Sequence, residues 1–134
     1  MKENDLKAPF ILTCCGSLTR ATIRFASHTP ADGDNKVGRR SCSLLQRPYP
    51  PHSQVATFSE HFEITSLVGT LSGAGGHLHI TLGRADGSTV SGHVVGDCEV
   101  FTTAEIVIGE CGDAVFSRPH DARTGFDELK VEQR

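Results

Sequence analysis

GGHLHITLGRADGSTVSGHVVGDCEVFTTAE, residues Gly75–Glu105, places three histidines and a turn signal inside one predicted hairpin. In a strand, residues two apart project from the same face, so His77 and His79 point the same way. His93 returns on the next strand, and the turn decides whether it joins them. A two-residue turn at Asp86-Gly87 sets His93 opposite Ile80, on the wrong face. A three-residue turn, Ala85-Asp86-Gly87 with Gly87 left-handed in a glycine bulge, sets it opposite His79. The sequence offers both registers, and only the second builds a cluster.

Three neutral imidazoles would make a zinc site with an open fourth position, because zinc takes nitrogen ligands tetrahedrally and three protein ligands leave one place for water or substrate. The plainer alternative is that these histidines are half-exposed strand residues, or hydrogen-bond across a contact between subunits.

Working outward, Cys98–Gly109 (CEVFTTAEIVIG) follows a predicted turn at Gly96-Asp97 and is β-branched and apolar enough to lie mid-sheet. Upstream, His61–Leu71 (HFEITSLVGTL) reads as a long strand, preceded by a short one at Gln54–Phe58 and a turn at Ser59-Glu60. Phe62 and Ile64, flanking Glu63, are read as exposed groups available for a subunit or partner contact. Leu18–Ala26 (LTRATIRFA) alternates apolar and polar residues as a half-buried strand should. Phe10–Cys15 makes another, with Gly16-Ser17 as the break between them. Ala114–Ser117 is a last strand candidate.

Residues 1–7 form a polar leader. Residues 27–52, rich in Gly, Asp, Asn, Ser and Pro, are long for a structureless connection within a domain and are read as a flexible loop. In the tail, Thr124-Gly125 is a turn, Phe126 and Leu129 are apolar anchors, and residues 130–134 are expected to fray. Helical periodicity is nearly absent.

The 134 residues suit one domain, 1–134. A net charge of −3 gives no general attraction to nucleic acid. Five cysteines, Cys14, Cys15, Cys42, Cys98 and Cys111, are an odd number with no C-x-x-C pair, which excludes a paired disulfide framework and a cysteine zinc site. Free thiols in a reducing compartment follow. No run approaches the roughly 20 apolar residues that cross a bilayer as a helix, so the expectation is an intracellular protein, cytoplasmic or nuclear, without a membrane partner.

The runs Pro9–Ala26, Phe62–Leu71, Gly76–Leu82, Asp86-Gly87, Gly92-His93, Val100–Gly109 and Thr124–Leu129, in this order and spacing, resemble the PPC domain, the plant and prokaryote conserved domain also found in plant AT-hook proteins. The resemblance covers nearly all of the chain except the central loop. It implies an α/β (α+β) fold, mainly an antiparallel β-sheet with few helices and a helix packed on it, that assembles as a homotrimer. For some prokaryotic members it also implies a histidine metal site, which falls here on His77, His79 and His93. Family members usually carry another strand and a helix before the segment equivalent to Ala8-Pro9-Phe10, so a shortened form with an open sheet edge or a bare face is expected. The Arg-Gly-Arg-Pro core of the AT-hook is absent, and Gly38-Arg39-Arg40-Ser41 does not replace it.

Two functions follow as expectations. One is a DNA-associated or transcription-linked binding module, a trimer with a protein or DNA partner, in which direct DNA binding by this chain alone is weak. The other is a zinc-dependent enzyme of unknown substrate, with Glu105 as a catalytic acid or base, a carboxylate orienting a histidine, or one simply paired with an arginine such as Arg24 across a subunit boundary.

Overall fold

A computed structural model describes residues 5–26 and 55–134. Among the described residues there are eight strands: β1 Pro9–Arg24, β2 Val55–Ser72, β3 Gly75–Gly83, β4 Thr89–Glu110, β5 Ala114–Ser117, β6 His120–Asp121, β7 Phe126–Asp127 and β8 Lys130–Gln133. The first four close into an antiparallel barrel, because β1 pairs with both β2 and β4, and β3 joins β2 to β4. The mainly antiparallel sheet is the expected one, and the described residues contain no helix. The leader expected at residues 1–7 is described only from residue 5, where Lys7 is tied down by its N–H donating to Glu110 Oε1 at 2.9 Å. The loop expected at residues 27–52 lies outside the described residues.

Closure corrects the expectation of an open sheet edge in the main sheet. A barrel leaves no unpaired row of backbone groups. Its interior is filled from every wall: Leu18, Ala21 and Ile23 from β1, Phe62 and Ile64 from β2, Ile80 and Leu82 from β3, Val90 from β4. Phe62 and Ile64 are therefore core residues, 2% and 8% exposed, and not a contact surface. Burial of a Phe or Ile side chain is worth roughly 1.5–3 kcal/mol, which fixes which parity of β2 faces inward.

Three predicted breaks are absorbed into continuous strands. Gly16-Ser17 lies within β1, Ser59-Glu60 within β2 and Gly96-Asp97 within β4. Gly16 (φ 142°) and Asp97 (φ 48°) take backbone conformations that bend a strand without ending it. The bulge between Leu18 and Arg20 also has a packing consequence. Leu18 and Ile23 differ in parity, so an unbroken strand would turn one of them outward; the extra residue lets both face the core.

After the barrel, β5 pairs with β8, and β6 with β7. Residues 130–134 thus do not fray, since β8 supplies the partner that β5 lacks and Arg134 N–H donates to the Asp113 carbonyl at 2.9 Å. The expected docking of the tail's apolar pair is also corrected: Phe126 is 62% exposed and Leu129 39%. One apolar surface stands out. Along the β1–β4 ribbon, Leu12, Val100, Phe101, Ile106, Val107 and Ile108 are all exposed. Ile106, Val107 and Ile108 are consecutive, so this ribbon is apolar on both faces.

Candidate metal centre

The register between β3 and β4 places His79 directly opposite His93. The connection is the three-residue turn. Arg84 N–H donates to the Ser88 carbonyl at 2.8 Å, Gly87 N–H to the Arg84 carbonyl at 3.0 Å, and Gly87 adopts φ 81°. Asp86 Oδ1 accepts the Ser88 N–H at 2.9 Å, an Asx turn that steadies the loop. One glycine in the left-handed region therefore decides which face of the barrel His93 occupies.

That face is the outer one. Ile80 and Leu82 fill the core, so His77 and His79, of opposite parity, project outward. The imidazoles converge. His77 Nε2 lies 3.1 Å from His79 Nε2, the three ring centroids are 4.9–5.4 Å apart, and one nitrogen from each ring lies within 4.8 Å of the others. Tetrahedral zinc with nitrogen ligands at about 2.0–2.1 Å holds those nitrogens about 3.3 Å apart, so the rings need only a small inward adjustment. His93 Nδ1 is buried without a hydrogen-bond partner.

The electrostatics favour the ligating form of two of these rings. His77 is pushed below the ordinary histidine pKa by burial, then by the like charges of His79 and Arg118, with Glu128 opposing and Arg24 adding a little. His93 is lowered by burial, by Arg24 opposite it across the β1–β4 ladder, and by the other two histidines. A neutral imidazole offers the lone pair that a metal needs.

Two adjoining recesses, of about 360 and 550 Å³, open beside the cluster and share Arg24, His77, His93 and Phe126. The smaller is walled by Arg118, Asp127 and Glu128. Arg118 is held by Thr70, whose Oγ1 accepts its Nη2–H at 2.7 Å, and Thr70 is the cross-strand neighbour of His77. Asp127 is engaged by His120 Nδ1 at 3.3 Å.

Glu105 is elsewhere. It sits near the opposite end of β4, pairs with Cys15 on β1, and its Oε2 accepts the Cys15 thiol at 3.6 Å; it lines neither recess. Within the chain, the backbone of Arg24 pairs with that of His93, and Glu105 forms no ion pair with an arginine among the described residues. The four described cysteines are free, with burial and then Cys15 raising the Cys14 thiol above its ordinary pKa. Sequence reasoning missed Arg24 and Arg118 as site residues. Arg24 was findable, because the same register that brings in His93 sets Arg24 beside it, whereas Arg118 reaches the site through a segment packed after the barrel and has no periodic signal.

Comparison with known proteins agrees with this fold. Residues 1–112 match the family model described as the Plants and Prokaryotes Conserved (PCC) domain. A curated relative, the bifunctional protein GlmU of Synechococcus sp. (strain JA-2-3B'a(2-13)), is 35% identical over 131 residues, covering 98% of this chain but 17% of its own length. The chain thus spans about a sixth of that relative. Among solved structures, a protein from Salmonella cholerae-suis superposes with TM-score 0.75 at 32% identity, over 99% of this chain and 79% of that one. A plant- and prokaryote-conserved (PPC) protein from Pyrococcus horikoshii gives TM-score 0.62 at 22% identity, over 96% and 76%. The metal-containing protein AF0104 from Archaeoglobus fulgidus gives 0.59 at 23%, over 93% and 75%.

Proposed function

Because the chain belongs to the Plants and Prokaryotes Conserved domain family, we propose that it is a trimeric metal-binding member whose outer barrel wall holds zinc through His77, His79 and His93. The observation that carries this reading is the convergence of three imidazole nitrogens within 4.8 Å beside an open recess. Three strand-borne histidines with no cysteine or carboxylate among them suit a borderline metal such as zinc. Zinc held this way supplies a Lewis acid with a free coordination position. The chain's own residues do the rest: burial and then Arg24 lower the His93 pKa and so favour the neutral ring, and the Gly87 turn sets the register that brings His93 opposite His79.

DNA association, which the family resemblance implies, is the second part of the reading. At a net charge of −3 it takes the form of association through a partner, with direct binding to duplex weak. Affinity for AT-rich DNA across a salt series tests this, and nanomolar affinity with a steep salt slope would overturn it.

The test of the centre is elemental analysis of untagged protein combined with light scattering. One zinc per chain in the wild type, lost in His79→Ala with unchanged circular dichroism, is the expected outcome. Unchanged zinc in His79→Ala sinks the centre.

A further inference from the structure

Beside the histidines sit two guanidinium groups with no carboxylate partner at ion-pair distance among the described residues. Arg24 lines both recesses and Arg118 the smaller. Among the described residues, Arg84, Arg123 and Arg134 form ion pairs with Glu60, Asp121 and Glu110; Arg20 forms none either but lines neither recess, so Arg24 and Arg118 are the arginines without an acid partner that face the histidines. Arg118 is also pre-set, because Thr70 Oγ1 accepts from its Nη2–H and fixes one end of the guanidinium. Two like charges sharing a recess without a carboxylate partner are unfavourable, while an arginine fork matches the paired oxygens of a carboxylate or phosphate.

We propose that the recess between Arg24 and Arg118 binds an oxyanion, a carboxylate or phosphate group of a small ligand, next to the histidine cluster. The proposal rests on and deepens the metal-centre reading, since such a ligand would lie beside the histidines that would hold the metal, but the arginines act on the anion themselves. Phe126 supplies an apolar wall for the remainder of the ligand. The nearby acids do not remove the site. Asp127 is committed to His120, and Glu128, outside ion-pair reach of either arginine, opposes the anion from the rim and so acts against ligands of high charge.

The experiment titrates metal-free and zinc-loaded full-length protein with inorganic phosphate and, separately, with acetate, followed by amide chemical shifts, while zinc content is measured on the same samples. Saturable binding of at least one probe to the metal-free protein is expected. Arg118→Gln should weaken it about tenfold or more, Arg118→Lys should recover part of the loss, and Glu128→Gln should tighten it. Arg118 lies outside the barrel strands, so Arg118→Gln leaves the core intact; Arg24→Gln, read only if its spectrum stays folded, should act in the same direction. The stronger of the two probes identifies the anion as phosphate or carboxylate. Failure to bind zinc with retained, arginine-dependent anion binding sinks the metal centre and upholds the recess. No binding of either probe, or binding that depends on zinc and is indifferent to Arg118→Gln, overturns the recess.

Discussion

A single side chain at the site carries different weight depending on what else it holds. His93 is the only one of the three histidines that is half-buried, and its Nδ1 is the one ring nitrogen left buried and unsatisfied. Replacing it removes a ligand without removing a structural hydrogen bond. His93→Ala should therefore lower zinc affinity by more than the ~10–100-fold that loss of an outer-shell partner costs, with thermal stability of the metal-free protein little changed. Competition against a chromophoric chelator measures the first and calorimetry the second. Glu105→Gln is the matched control: bonded to Cys15 and remote from the recess, it should leave zinc affinity unaltered. The histidines were legible in the sequence because strand parity alone places His77 beside His79. Glu105 was not, because an acid in an apolar run signals only that its environment is unusual, not which partner resolves it.

At the scale of elements, the glycines sort into those that turn the chain and those that let strands approach. Gly87 has the first role: its φ is 81° and no atom lies within 4 Å of an added Cβ. Gly87→Ala should then cost only the left-handed strain, about 1 kcal/mol, with Gly87→Asn costing less. Gly16 has the second role. At φ 142° an added Cβ would collide with the Thr103 carbonyl oxygen and lie 2.7 Å from Ala104 Cα, so Gly16→Ala should cost roughly 2–4 kcal/mol. Chemical denaturation of the two variants side by side checks the order. The same hairpin carries a pH dependence. Hydrogen bonds from Ser88, through its side chain first and then its backbone N–H, hold Asp86 below the usual carboxylate pKa. A lowered folded pKa contributes stability at pH above the unfolded value and loses it as pH falls through the folded one. Acidification below the ordinary carboxylate range should thus loosen the Arg84–Ser88 loop, read as faster amide exchange at Gly87 and Ser88, and Asp86→Ala should abolish that pH dependence.

These elements also show where sequence reasoning stops. A turn around Asp86-Gly87 was readable because its signal is local, but the sequence offered two registers, and the left-handed Gly87 and the His79–His93 pairing of the folded chain choose between them. Gly16-Ser17, Ser59-Glu60 and Gly96-Asp97 carry equally good turn residues, yet the chain runs straight through them. Long-range pairing of β1 with two neighbours decides the matter, and a closed barrel needs strongly bent strands that such residues permit. Closure itself has no local signature, which is why Phe62 and Ile64 could be read as a surface pair when they face the centre of the molecule.

For the molecule as a whole, the β1–β4 ribbon carries an apolar surface that the described residues do not cover. Val100, Phe101, Ile106, Val107 and Ile108 are each 46–51% exposed, and the consecutive residues among them place apolar side chains on both faces of β4. A ribbon apolar on one side could lie against its own core; one apolar on both sides needs cover from outside the described chain, and patches of this kind mark interfaces. A cyclic trimer supplies such cover with one repeated contact, because a heterologous interface closes on itself when its rotation is a third of a turn. Light scattering should then give three times the 14.4 kDa chain mass. Ile106→Glu or Val107→Glu should shift that mass to the monomer, since burying an unpaired carboxylate in the contact is strongly unfavourable. The histidine cluster lies at the other end of β4, so the monomeric variant should keep its zinc if one chain supplies all three ligands. Zinc lost together with the trimer would show instead that neighbouring copies complete the centre, and a wild type that is monomeric at micromolar concentration would refute the assembly.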